Sequence, residues 1–300
     1  SKTVSTPWCP FCQQRGVQVE ETKEHVFWQC PHWEEFRVLA KQSLAKEEFV
    51  FETEDSPTRE GTPALWWCGL ANEDPKLSIE LGKLPPTRYE VDRAPMRGPN
   101  DGEKEIWEED DNGTNRLLVA IDGSGYHPRD SRLRRCGFGA FFGPGHSWNR
   151  DRRLTGPHQV VSRSELAALL EVMEMTDEHL RVLCDCSLVV DGFHKLQQGI
   201  DISRLDHHDL WARIKTRMEH TGPWRVEVIK VKAHTTEADV ERGIISVLYR
   251  LYNDRVDGLA KKGADQHKYP RGIIENTQRR QRITIIIQHM MVKILMARDP

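Results

Sequence analysis

From Arg116 onward the apolar positions fall into two periods that alternate along the chain. Leu117 to Ile121 is an unbroken apolar run ending at Asp122, with Gly123, Ser124 and Gly125 turning the chain after it, and it predicts a buried strand. Cys136 to Phe142 and His146 to Leu154 predict two more strands around the turn Gly143-Pro144-Gly145, an antiparallel meander. Leu166, Leu169, Leu170 and Met173 recur at helical spacing, so a helix is expected over Ser162 to Met175, followed by an apolar strand at Leu180 to Cys184. Helices over Ser187 to Gln198 and Asp206 to His220, an alternating strand over Trp224 to Lys232 and a helix over Tyr249 to Ala264 complete the series. Three strands, helix, strand, two helices, strand, helix predicts an α/β fold: a five-stranded mixed sheet flanked by helices over residues 115–267.

The rest of the chain has a different texture. Residues 46–114 mix acidic runs such as Glu105 to Asp111 with prolines and glycines and lack sustained periodicity, which reads as a partly ordered linker. Within it, Trp66, Trp67 and Cys68 read as a local hydrophobic tether or as a surface that docks on a neighbour. Residues 268–300 read as a helical tail. Its apolar run, Ile283 to Met296, is interrupted by Gln288, His289 and Lys293 and is shorter than the roughly 20 residues a bilayer requires, so no membrane span is expected. A chain of 300 residues has room for one mid-sized domain and something smaller. Its 43 basic and 46 acidic residues nearly cancel, so a nucleic-acid footprint has to come from local clustering. The basic segments Arg129 to Arg135 and Arg150 to Arg153 are candidates for phosphate contact, with a solvated hairpin surface as the alternative.

The predicted strand order brings acidic residues together. Asp122 ends the first strand and Asp185 the fourth, and strands joined through a crossover helix are expected to run parallel, with both carboxylates at one sheet edge. Glu165 opens the intervening helix, and Asp257 lies on the last helix, whose face can close over that edge. Two carboxylates about 4 Å apart repel by roughly 1 kcal/mol in water and about 4 at an effective dielectric near 20, so a cation is expected among them. Magnesium suits all-oxygen ligands, with manganese the alternative, and a pair of such ions promotes phosphodiester cleavage. Each residue also has a plainer reading: a turn residue at Asp122, a capping box from Ser162 to Glu165, a helix cap at Asp185, a solvated helical carboxylate at Asp257.

These residues resemble the ribonuclease H family across about 150 residues. The resemblance rests on Ile121-Asp122-Gly123-Ser124, Ser164-Glu165-Leu166-Ala167-Ala168, Cys184-Asp185-Cys186-Ser187, Asp209-Leu210-Trp211, Val231-Lys232-Ala233-His234 and Asn253-Asp254-Arg255-Val256-Asp257, in the family's order. It implies hydrolysis of the RNA strand of an RNA/DNA hybrid, with Asp122, Glu165, Asp185 and Asp257 holding two magnesium ions and His234 assisting proton transfer and product release. Ribose contacts are expected near Gly123, Ser124, Ser162, Ser187 and Asn253 by position, because the 2′-hydroxyl distinguishes RNA from DNA. A catalytically inactive nucleic-acid-binding module of the same fold is the alternative, and another nuclease or an integrase a third.

Near the start, Cys9-x2-Cys12, twelve residues and His25-x4-Cys30 supply four ligands at spacings that close a tetrahedral zinc site over residues 1–45. With Trp8, Phe11, Phe27, Trp28 and Trp33 as its core, so short a segment needs folding energy from a structural metal. The cluster is similar to zinc-binding segments beside retroelement reverse transcriptases. That resemblance implies a piece of a retroelement-derived polyprotein, with a reverse transcriptase upstream in the same polypeptide. The start at Ser1 without a methionine agrees with a fragment, and the cysteine usage with a reducing intracellular compartment, cytoplasmic or nuclear.

Overall fold

The computed structural model describes residues 7–49, 64, 68–71, 91–126, 133–267 and 271–298. Trp66 and Trp67 and the basic positions Arg129 and Arg132 lie outside the described residues. The chain divides into a central unit, 83–268, and a terminal unit made of 1–82 and 269–300.

The central unit is built on a mixed sheet of six strands: β1 (Trp107–Glu109), β2 (Asn115–Tyr126), β3 (Arg135–Phe141), β4 (Arg150–Arg153), β5 (Leu180–Cys184) and β6 (Val226–Lys230). The order is β4-β3-β2-β5-β6, with β1 pairing on β2 as the strand beyond the expected five. β2 is antiparallel to β3 and parallel to β5, which is parallel to β6. The run Leu117 to Ile121 is buried on both faces, as a central strand requires. Its pleat sends Leu117, Val119 and Ile121 into one core and Leu118 and Ala120 into another.

Three of the unit's helices share the first core with the odd-numbered side: α3 (Val161–Met175), α4 (Ser187–Gln197) and α5 (His208–Thr221). The helix α7 (Val247–Asp265) covers the other face through Tyr252 and Val256. A five-residue helix, α6 (Glu237–Glu241), lies in the loop after β6; it is too short to show periodicity.

Two local expectations change. Gly123, Ser124 and Gly125 do not turn the chain: β2 continues through them and pairs with Phe138, Gly137 and Cys136. The glycines mark close packing. The segment His146 to Leu154 is strand only at Arg150–Arg153, because Asn149 folds back to cap the preceding turn, accepting from Phe142 N and donating to Gly143 O.

Residues 91–111, placed in the linker by composition, dock on this unit because their acids meet partners. Asp101, 2% exposed, accepts from Gly98 N and Ser147 Oγ, Glu108 accepts from Arg181 and Tyr249, and Asp110 accepts from Arg116.

The terminal unit holds α1 (Pro10–Gln13), a wide turn of π-helical form over His25–Gln29, α2 (Glu34–Ala45) and α8 (Arg271–Arg298). Cys9, Cys12, Val26, Cys30, Trp33 and Leu44 pack with Ile283, Ile287, Met290, Met291 and Ile294 of α8 in one core. The tail therefore supplies part of the apolar core around the cysteine cluster. No described helix is long and apolar enough to cross a membrane.

The seat of α7 generates a prediction. A Cβ on Gly137 of β3 would stand 2.0 Å from Ala264 N and 2.2 Å from the Gly263 carbonyl carbon, which are backbone atoms that cannot swing aside. Gly137→Ala is expected to destabilise the central unit by about 3 kcal/mol, read as a lower urea midpoint at unchanged slope.

Candidate functional site

The parallel register β2–β5 pairs Leu117 with Leu180 and Ala120 with Leu183. Carried two residues further, it sets Asp122 level with Asp185, and the pleat points both to the same face. Asp122 is 9% exposed, Glu165 4%, and Asp185 is half-buried. Each offers a carboxylate oxygen within 4.8 Å of the other two.

Glu165 comes from α3, on the face that takes the odd-numbered residues of β2. Its way in is the missing side chain of Gly123: a Cβ there would lie 2.5 Å from Ser164 Oγ, 2.7 Å from Glu165 N and 3.0 Å from Glu165 Cγ. The capping box, the plainer reading of Ser162 and Glu165, does not form. Helix α3 begins at Val161 without a side-chain cap, Ser162 Oγ pairs with His207 Nε2 at 3.1 Å, and Glu165 is turned inward.

Both ends of α3 are pinned by charge. Arg163 donates to both carboxylate oxygens of Asp209 at 2.8 and 2.6 Å. At the other end Arg225 donates to Met173 O in the last turn of α3 and to Thr176 O and Glu178 O just beyond it.

Burial first, and then like charge, sets the electrostatics. Burial with the charges of Asp185 and Asp257 pushes the Asp122 carboxyl up to about 7. Glu165 is raised well above the ordinary range by burial and by Asp122. Asp185 is raised by burial, with Lys230 and His234 opposing the shift. Asp257 stands at the rim, 36% exposed, felt by Asp122 and Asp185 and bound by Lys261 at 2.6 Å. His234 is exposed on the loop after β6.

The ribose-contact candidates separate. Ser124 and Ser162 are half-buried and Ser187 is exposed, whereas Gly123 packs under α3 and Asn253 is 6% exposed on α7. Of the basic segments, Arg135 is buried, and Arg150 and Arg152 reach Glu171 at 3.8 and 3.1 Å, within ion-pair range of a carboxylate with no exposed surface.

Lys230, Lys261 and the Arg163–Asp209 pair were not singled out by sequence reasoning. Lys261 was visible as the i+4 partner of Asp257. The partner of Arg163 lies 46 residues away and had no local signal.

The RNase H family profile matches residues 114–265, half of the chain. The chain belongs to the RNase H family. Solved structures similar to it include LC11-RNase H1 isolated from compost (14% identity, 51% of this chain and 98% of that one, TM-score 0.35). Others are the PFV RNase H domain (17%, 49% and 93%, 0.37) and RNase H1 from the halophilic archaeon Halobacterium salinarum NRC-1 (16%, 50% and 98%, 0.32). No curated protein matches the chain.

The RNase H family usually uses Mg2+, and the acidic cluster fits a hard divalent cation. Its donors are all oxygen, and Glu165 Oε2 is buried without a hydrogen-bond partner, an arrangement that leaves one lone-pair site aimed at nothing. The terminal unit holds a second, soft donor set. Cys9 Sγ and Cys12 Sγ lie 3.9 and 3.8 Å from Cys30 Sγ, and Cys12 Sγ lies 3.3 Å from His25 Nε2. The edge of a tetrahedron with Zn–S bonds of about 2.3 Å is about 3.8 Å, so the spacing fits zinc. Burial lifts the Cys12 thiol to about 12 and lowers His25, shifts that a bound cation would reverse for the thiol.

Raised carboxyls make the folded central unit hold protons that the unfolded chain has released. Their stabilisation is complete below the ordinary carboxylate pKa of about 4 and is lost as the pH rises through about 7 for Asp122. Without added divalent ions, the thermal midpoint should fall by more than about 4 °C between about pH 5 and pH 8. Mg2+ should restore it at the higher pH and do little at the lower, and Asp122→Asn should flatten both trends in scanning calorimetry.

For the terminal unit, a thiol-blocking mercurial should release about one zinc per chain, read with a chromogenic chelator. Cys30→Ser should retain none and should lose amide protection in residues 7–49 and 271–298.

Proposed function

We propose that the protein is an endoribonuclease that hydrolyses the RNA strand of RNA/DNA hybrids, with Asp122, Glu165, Asp185 and Asp257 holding two divalent cations. The convergence of the Asp122, Glu165 and Asp185 carboxylates, with Glu165 Oε2 buried and unpartnered, inside the segment matched by the RNase H family, supports this reading most directly. Bound magnesium, or manganese in its place, would supply Lewis acidity to activate water and to stabilise charge on the scissile phosphate.

The chain's own residues do the rest. Asp122 and Asp185 fix the cation-binding edge through the strand register, and Glu165 reaches it through the gap at Gly123. Lys230 donates to Asp185 O and keeps positive charge beside that carboxylate. His234, exposed and close enough to influence Asp185, moves a proton at its imidazole as the strand is cut and released. Ser124, Ser162 and Ser187 are the described ribose-contact candidates with accessible hydroxyls.

We assign the Cys9, Cys12, His25 and Cys30 set to a structural zinc ion. By the resemblance of that cluster to segments next to reverse transcriptases, the chain is read as part of a retroelement-derived polyprotein with a reverse transcriptase upstream.

The test is a labelled RNA/DNA hybrid offered with Mg2+ beside duplex DNA and single-stranded RNA. Only the RNA of the hybrid should be cut, leaving 5′-phosphate and 3′-hydroxyl ends, and Asp185→Asn should slow the reaction about a thousandfold. Hybrid that is bound and never cut would identify an inactive binding module, and cleavage of DNA another nuclease.

A further inference from the structure

Between the end of β6 at Lys230 and the start of α7 at Val247 the loop carries one exposed histidine and one buried carboxylate. His234 has φ 49°, a left-handed conformation uncommon for a residue with a side chain. The carboxylate is Asp239 of α6, 3% exposed. Its Oδ2 accepts from Thr236 N and Thr236 Oγ1, both at 2.9 Å. Its Oδ1 accepts from Lys232 Nζ at 2.8 Å and Arg242 Nη2 at 2.9 Å. Its carbonyl accepts from Ile244 N at 2.9 Å.

The placement of these partners is specific. Lys232 and Thr236 stand two residues before and two residues after His234, so one carboxylate grips the chain on both sides of the left-handed position. An ordinary helix cap would need only Thr236. Lys232 and Arg242 add charge-assisted bonds to a group held well below the usual carboxylate range by these donors, Lys232 foremost, so the carboxylate is ionised and the grip persists at neutral pH.

We propose that Asp239 is a positioning residue: it clasps the loop at Lys232 and Thr236 and thereby fixes the His234 imidazole at the edge of the acidic cluster. The proposal rests on the reading above that His234 takes part in the reaction. It adds a residue that touches neither substrate nor cation and acts through the histidine alone.

The test uses the full chain. Asp239→Ala should lower kcat on the hybrid about tenfold with KM changed less than about twofold, as expected when a proton-transferring group is misplaced. The His234→Ala/Asp239→Ala double variant should be no slower than His234→Ala. The His234 ring signal in a carbon-13 histidine spectrum, assigned by its loss in His234→Ala, should shift in Asp239→Ala. Lys232→Met, which leaves the Thr236 bonds in place, should move the same signal less, and it decides the matter if Asp239→Ala does not fold. Multiplying rate losses in the double variant, or a ring signal indifferent to both substitutions, would overturn the proposal. If His234→Ala cleaves at the full rate, the catalytic reading of His234 fails, and the ring signal alone then supports or overturns the clasp.

Discussion

Two aspartates that repel each other lie just past the end of a parallel strand pair whose register, carried on, brings them level. The β2–β5 register, fixed over Leu117 to Ala120, carries Asp122 to the level of Asp185 despite the electrostatic cost, because slipping it by one residue would turn a run buried on two faces. The surroundings then follow from the need to manage that charge. Glu165 is brought in through a position with no side chain. Lysines from β6 and α7 stand against Asp185 and Asp257. Burial raises the carboxyls of Asp122, Glu165 and Asp185, with like charge adding to the shift.

The same economy appears in how α3 is held. Its N-terminal half carries Glu165, and its position is fixed by arginines at either end, Arg163 on Asp209 and Arg225 on Met173 O and the carbonyls that follow the helix. Arg225 is 4% exposed and donates to one carbonyl of the last turn of α3 and to two in the short segment that leads to β5, which lets a cation take the place of a capping residue there. A helix anchored this way resists sliding along its axis, the motion that would carry Glu165 out of reach of Asp122.

Much of this arrangement was legible in the residues. The apolar run before Asp122 and the one before Asp185 announced central strands, and the single crossover between them implied a shared edge, so the acidic cluster could be anticipated from topology. What stayed hidden depended on contacts across long separations. Gly123, Ser124 and Gly125 look like turn formers in isolation, and only the approach of α3 to Gly123 reveals why a side chain is excluded in mid-strand. The acidic run Glu105 to Asp111 has the composition of a solvated linker until its partners Arg181 and Arg116 are known. Helix α6 is shorter than two turns and gives no periodic signal, though Thr236 with Asp239 three residues on is a capping box in plain sight.

The terminal unit is discontinuous, its cysteine cluster and α2 closing on α8 from the far end of the chain. During synthesis the cysteine cluster and α2 therefore wait for α8 before Leu44 and Trp33 find Ile287 and Ile294. A ribosome will have finished the whole sheet by then, and the interval leaves bare thiols and aromatic rings that a metal ion, arriving early, would gather before their helical cover exists.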